Sequence, residues 1–113
     1  MGIYYDDITG WPSEVASTIR RKLSAYTRTS KVRRFKIGLT ANPEQRFSNE
    51  YLGSFDEMIV LYRTSSIDNV SELEKDLIKH NWAVTRNDRG GGGGGIGEPP
   101  YFLYVVVKYL SGS

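Results

Sequence analysis

Cysteine is absent from this chain of 113 residues, and histidine occurs once, as His80. Without cysteine there is neither a disulfide framework nor a zinc site built from thiolates. One imidazole is too few for a metal centre held mainly by histidine. These absences favour an intracellular protein, because structural disulfides belong to oxidising compartments.

Long apolar runs are missing as well. No stretch is long enough to span a bilayer, and the first residues lack a secretory signal pattern. The hydrophobic content is 39% and the mean hydropathy is −0.43, which are values typical of a folded, water-soluble chain. The length predicts a single domain over residues 1–113. Because no stretch could span a bilayer, we expect no membrane as a partner.

Acidic residues are missing from one long block, since neither Asp nor Glu occurs between Val15 and Pro43. The block contains these basic residues: Arg20, Arg21, Lys22, Arg28, Lys31, Arg33, Arg34 and Lys36. A block of one charge sign predicts contact with a polyanion, and we expect nucleic acid as the partner. The alternative is a basic surface exposed to water, which keeps many small proteins soluble.

Residues 35–46 read FKIGLTANPEQR and predict a strand, a tight turn and a capped helix. Gly38 would allow backbone or a ligand to approach where a side chain would block it. Asn42 suits a helix N-cap and is followed by proline. Lys36 would project from the strand and Arg46 from the helix, and two cations from different elements suit a phosphate. The alternative is an ordinary strand-to-helix connection with hydrated charges.

The remaining periodicities predict a small α/β (α+β) domain. We expect helices over residues 12–24, 43–52 and 70–82. Residues 58–63 (MIVLYR) are nearly all apolar, which predicts a central strand, and residues 101–110 predict a further strand. The expected fold is a mainly antiparallel sheet of three to four strands, flanked by about three helices.

A glycine-rich segment covers residues 88–98 and includes an unbroken glycine run at 90–95. It lacks the Gly-Lys-Ser/Thr sequence of a nucleotide-binding loop. We therefore predict a flexible surface loop.

Glu74 lies within the apolar stripe of the third expected helix, one turn from Val70 and from Leu77. A carboxylate on a buried face costs several kcal/mol unless it is paired or bound to a metal ion. Glu74 is therefore a candidate metal ligand. The alternative is a capping box, with Ser71 as the N-cap and Glu74 three residues later.

The Lys-Ile-Gly sequence at 36–38, the TANP turn and an Arg eight residues after the glycine resemble the second motif of the GIY-YIG nuclease superfamily. The likeness is greatest to a phage-associated branch in which Lys-Ile-Gly replaces Tyr-Ile-Gly. It continues through IVLYRTSSIDNVSELEKDLIKH, which resembles the next strand and the glutamate-bearing helix of that family. The resemblance covers residues 31–82 and implies a GIY-YIG-like fold.

This resemblance implies an endonuclease that cleaves DNA with a divalent metal ion, Mg²⁺ or Mn²⁺. Arg46 would bind the scissile phosphate, and Glu74 would hold the metal ion. Lys36 would stand in the place of the second-motif tyrosine. A tyrosine would orient or deprotonate the attacking water. Asn81 and Asn87 are the candidates for the family's late asparagine.

Three tyrosines are candidates for positions near the reacting water. Tyr4 belongs to a Gly-Ile-Tyr sequence, but lies 32 residues before Lys36. Tyr26 lies at the spacing that the family uses, without the preceding Gly-Ile. Tyr51 lies five residues after Arg46, near the place of a His or Tyr in many members; the alternative role is packing against Phe47.

Two other classes of function fit the same residues. A domain with the nuclease fold could bind nucleic acid without cleaving it, since the first motif is incomplete and the metal ligands are few. A protein-interaction or inhibitor module is the weaker alternative.

Overall fold

The structure is a computed structural model, and it describes residues 2–81 and 97–110. The elements in chain order are β1 (Gly2–Ile8), α1 (Pro12–Thr27), β2 (Val32–Thr40), α2 (Pro43–Arg46), a π-helical turn (Phe47–Tyr51), β3 (Glu57–Thr64), α3 (Ile67–Asn81) and β4 (Tyr101–Tyr109). Most of the predicted glycine-rich loop at 88–98 lies outside the described residues. Among the helices of the described part, none is both long enough and apolar enough to cross a membrane.

One four-stranded sheet forms the centre of the fold, with the strand order β1-β3-β4-β2. β1 runs parallel to β3, whereas β4 is antiparallel to both β3 and β2. The predicted class, a small α+β domain with a mainly antiparallel sheet and three helices, is confirmed. β3 is central, as its apolar sequence predicts, and β4 separates it from β2.

Each face of the sheet carries its own core. The two-helix face packs under α1 and α3, and its core residues include Ile19, Leu23, Ile37, Leu61, Leu73 and Val105. The opposite face, called the α2 face below, packs under α2 and the π-helical turn. Its core residues are Phe47, Tyr51, Phe55, Met58, Val60, Tyr104 and Val106. Because side chains alternate along a strand, consecutive residues of β4 contribute their side chains to opposite faces of the sheet.

The helix boundaries differ from the predicted ones. α1 continues to Thr27, one turn beyond residue 24, and the Thr27 hydroxyl donates to the Leu23 carbonyl at 2.7 Å. α3 begins at Ile67 instead of residue 70, because Ser66 caps it: the Ser66 Oγ accepts from the Asn69 amide at 3.1 Å. The capping box with Ser71 as N-cap is therefore wrong, and Glu74 has no capping role.

The predicted helix over 43–52 is α-helical only through Arg46. The chain then widens into a π-helical turn that ends when the Leu52 amide donates to the Phe47 carbonyl at 2.8 Å. Gly53 follows with a φ of 105°, a conformation that favours glycine at a helix end. The wider turn places Phe47 and Tyr51 on the buried side.

Gly38 lies opposite Tyr104 in the pairing of β2 with β4. A Cβ atom on Gly38 would overlap the Tyr104 hydroxyl and approach its Cζ atom to 2.7 Å. Tyr104 is fully buried, so its ring has little room to move aside. The absence of a side chain at Gly38 therefore lets Tyr104 pack against β2.

We expect Gly38→Ala to destabilise the fold by about 1–3 kcal/mol, the usual cost of overfilling a packed core. Chemical denaturation measures this change. In a Tyr104→Phe background the same substitution should cost less, because the overlapping hydroxyl is gone. Equal costs in both backgrounds would contradict the role assigned to the Gly38–Tyr104 contact.

Candidate nucleic-acid interface

α2 begins with the cap that the sequence predicts. The Asn42 side-chain oxygen accepts from the Gln45 amide at 3.1 Å, and Pro43 occupies the first turn. The Asn42 amide in turn donates to the Thr40 hydroxyl at 3.1 Å, which ties the helix start to the end of β2. These bonds fix the orientation of the short helix that carries Arg46.

The Arg46 side chain lies between α2 and the sheet, where it contacts Glu50 and Tyr104. Its Nε is 3.2 Å from the Glu50 carboxylate, and its Nη1 is 3.5 Å from the Tyr104 hydroxyl. The Tyr104 and Tyr51 hydroxyls are hydrogen-bonded to each other at 2.8 Å. We call Arg46, Glu50, Tyr51 and Tyr104 the Arg46 cluster.

The electrostatics of the cluster keep Tyr104 neutral. Burial and the hydrogen bond with Tyr51 raise the pKa of the Tyr104 hydroxyl far above its usual value. For Arg46, burial lowers the pKa of the guanidinium, but Tyr104 and Glu50 outweigh that effect and raise it overall. At neutral pH the cluster therefore offers a permanent cation beside the protonated hydroxyl of Tyr104, and Tyr104 is not a general base.

Lys36 and Arg34 extend this positive region along β2. The Lys36 Nζ lies 5.7 Å from the centroid of the Tyr51 ring, so Lys36 and Arg46 both border Tyr51. The Arg34 guanidinium lies 4.7 Å from the centroid of Phe55 and donates to the Ser54 carbonyl at 3.4 Å. The structure thus brings Lys36, Arg46 and Tyr51, three of the predicted site residues, to one face.

The basic block of the sequence does not form one surface. Arg20 pairs with Asp76 of α3 at 2.8 Å, and Lys22 pairs with Asp6 of β1 at 2.8 Å. Both pairs tie α1 to neighbouring elements. Within the block, the exposed basic residues that have no ion-pair partner among residues 2–81 and 97–110 are Arg21, Arg28, Lys31 and Arg33.

The two candidates for the first-motif tyrosine lie elsewhere. Tyr26 of α1 donates to the Asp6 carboxylate at 2.8 Å, and its ring meets that of Tyr4 edge to face at 6.4 Å. Burial, and then Asp6, raise the pKa of Tyr26 well above its usual value. The structure joins Tyr4 and Tyr26 to each other, not to Arg46.

Glu74 lies on α3, which packs on the two-helix face, whereas Arg46 contacts the α2 face. The Glu74 Oε2 is buried and has no hydrogen-bond partner among the described residues, and burial raises the pKa of the carboxyl. Nowhere in the described part do three His, Cys, Asp or Glu side chains gather as metal ligands do. The residues around Arg46 therefore do not fit a metal centre. The side chains of Asn81 and Asn87 lie outside what the structure describes.

Tyr104 and Glu50 are the two residues of the Arg46 cluster that the sequence patterns do not predict. Residues 101–110 predict a strand, but not which strand it joins or which face Tyr104 serves. Gly38 carries the one signal, since glycine in a strand indicates close approach by another group. That group is the Tyr104 side chain.

The unpaired Glu74 oxygen predicts an unusual dependence of stability on pH. Folding raises the pKa of the Glu74 carboxyl. The contribution of this carboxyl to stability is therefore fully present below its ordinary pKa, and it is lost as the pH rises through the raised pKa of the folded state. Glu74→Gln should therefore stabilise the protein at pH 7 by roughly 1 kcal/mol, and the gain should vanish near about pH 4. Thermal unfolding at both pH values measures it, with Glu72→Gln on the exposed side as the control. A Gln variant that is less stable at pH 7 contradicts this account.

Comparison with models of known protein families, with curated proteins and with solved structures finds no match for this chain. The candidate interface therefore stands on its own geometry: the Arg46 cation is held by Tyr104 and Glu50 beside the basic residues of β2.

Proposed function

We propose that this chain is a nucleic-acid-binding domain that holds a backbone phosphate at the Arg46 cluster. The observation that carries the proposal is the placement of Arg46, which a capped helix and the Tyr104 hydroxyl hold at the α2 face beside Lys36. Arginine presents a rigid, permanently charged fork that matches the oxygens of a phosphate.

Glu50 occupies the position that a phosphate would take. It is half exposed, and its carboxylate contacts the Arg46 Nε at 3.2 Å. An ion pair with an exposed partner is weak, about 0–1 kcal/mol, so a phosphate can replace it at little cost. The hydroxyls of Tyr51 and Tyr104 would then lie next to the phosphate that Arg46 binds.

The charges around the cluster favour a backbone that continues past one phosphate. Lys36 and Arg34 lie on the same face as Arg46. Arg28, Lys31 and Arg33 precede or begin β2 and are exposed. Such contacts depend on phosphate rather than on base identity, so the binding should be tolerant of sequence and sensitive to salt.

We expect Arg46→Ala to weaken the binding of a mixed-sequence DNA duplex by about 10- to 100-fold, since a charged hydrogen-bond donor to phosphate is lost. The slope of log affinity against log salt should fall by about one. Fluorescence anisotropy over a salt series measures both. Arg21→Ala on α1 is the matched control, because it removes the same charge at an exposed position. Equal losses in both variants would show that only net charge matters, and would reject the Arg46 cluster as the site.

Glu50→Gln should have the opposite effect. The change removes the carboxylate that competes with phosphate, so affinity should rise about two- to fivefold, the range of an exposed ion pair. Glu44→Gln, at an exposed position in the first turn of α2, controls for the loss of one negative charge. A Glu50→Gln variant that gains no more affinity than Glu44→Gln would argue against competition at Arg46.

Metal-dependent cleavage of DNA is the second candidate function. The observation that favours it is the buried Glu74 oxygen without a partner, a group suited to a cation. In the present arrangement the sheet separates Glu74 from Arg46, so the two do not meet at one phosphate.

A nicking assay on supercoiled plasmid with Mg²⁺, Mn²⁺ or chelator separates the two functions. A binding domain leaves the plasmid intact under every condition, and Arg46→Ala then lowers affinity alone. A nuclease nicks the plasmid with metal, and Arg46→Ala then loses about 100- to 1000-fold in rate with affinity nearly unchanged. If Glu74 holds the metal ion, Mg²⁺ should raise the melting temperature of the wild type but not that of Glu74→Gln.

A further inference from the structure

An open depression with a volume of about 420 Å³ lies at one edge of the sheet, and none of its lining residues belongs to the Arg46 cluster. Its lining residues are Thr9, Gly10, Arg63, Thr64, Ser65 and Pro100. The parallel strands β1 and β3 both end at this edge. One wall is formed by the two residues after β1, and the other by the last two residues of β3 and the residue after them. In open α/β sheets, ligands bind outside the carboxyl ends of parallel strands. We call this feature the strand-end cavity.

Buried contacts hold the wall formed by residues 9–10. The hydroxyl of the fully buried Tyr62 donates a hydrogen bond to the Gly10 carbonyl at 2.5 Å. Gly10 has a φ of 138°, and a Cβ atom there would approach Val15 Cγ1 to 2.8 Å. The hydrogen bond and the close packing at Gly10 both fix the backbone conformation of this loop, so the wall is formed before any ligand binds.

The opposite wall is equally ordered. The Thr64 hydroxyl accepts from the Ser66 amide at 3.1 Å, and Ser66 caps α3. The Thr64 hydroxyl hydrogen stays available as a donor, because the bond uses only its oxygen. The helices α1 and α3 begin two residues beyond Gly10 and Ser65, and their positive ends favour an anion at this edge.

Among the lining residues that belong to the described part of the chain, Arg63 supplies the only formal charge. Its Nε lies 3.7 Å from the Asp7 carboxylate, a loose pair, and its side chain is 54% exposed. The terminal nitrogens of the guanidinium remain for a ligand. Asp7, Asp68 and Glu98, the acids nearest in sequence to the lining residues, do not themselves line the cavity. A guanidinium with three hydroxyls around it favours a compact anion that has several acceptor oxygens.

We propose that the strand-end cavity binds a phosphomonoester, with the phosphate at Arg63 and the hydroxyls of Thr9, Thr64 and Ser65. Its volume lies in the range of small-molecule sites and exceeds that of a phosphate, which leaves room for an attached sugar. The ligand is thus a mononucleotide or the phosphorylated end of a nucleic-acid strand. The site does not depend on binding at Arg46.

Isothermal titration calorimetry with adenosine 5′-monophosphate, inorganic phosphate and adenosine tests the site. The monophosphate should bind, and adenosine, which lacks the phosphate, should not. Arg63→Gln should weaken monophosphate binding at least about tenfold, as expected for a lost charged contact. Lys79→Gln, which removes one positive charge at an exposed position of α3, is the control and should leave binding unchanged. Ser65→Ala, at an exposed position, should weaken it less than Arg63→Gln.

A second arm identifies the source of the phosphate. Short oligonucleotides with a 5′-phosphate, a 3′-phosphate or no terminal phosphate are compared on the wild type, Arg63→Gln and Arg46→Ala. Preference for a phosphorylated end that Arg63→Gln abolishes and Arg46→Ala retains supports strand-end binding. Tighter binding of the mononucleotide, with the same dependence on Arg63, supports a free nucleotide. The proposal is overturned if the phosphate compounds do not bind, if adenosine binds equally well, or if Arg63→Gln binds like the wild type.

Discussion

The antiparallel pairing of β2 with β4 is the constraint on which the rest of the structure depends. It sets Gly38 against Tyr104, so that a large polar ring lies where a side chain on β2 would otherwise stand. Tyr104 then contacts Tyr51 and Arg46, which joins the short α2 helix to the sheet. The same strand also pairs with β3 and so connects β2 to the remaining sheet.

Local sequence patterns predicted the helices and strands and the part of the site that contains Lys36 and Arg46. Alternation and the Asn42 cap were enough to place Lys36 on a strand and Arg46 on the helix after it, because both signals act over a few residues. The apolar run at 58–63 predicted a central strand, since only a strand covered on both faces is apolar throughout. Helix ends were less predictable: Ser66 and Ser71 are both plausible caps, and tertiary packing selected Ser66.

The other half of the site depends on which face of the sheet a residue serves, and the sequence does not contain that information locally. Lys22 and Lys36 belong to one basic block, yet Lys22 pairs with Asp6 while Lys36 lies over Tyr51. Glu74 satisfies a sequence spacing, but its helix packs on the face opposite Arg46. Tyr104 could not be assigned without the register of β4, which only the assembled sheet defines.

The position of β4 has a consequence for how the protein folds. It is the last strand in the chain, yet it fills the gap between β3 and β2. Until β4 is present, the hydrogen-bonding edges of β2 and β3 that face each other have no strand between them. Contacts between distant parts of a chain form slowly, because loop closure must precede any gain from pairing. During synthesis, the first three strands must therefore wait for the last one before the sheet and the Arg46 cluster can close, and their open edges are most prone to aggregation in that interval.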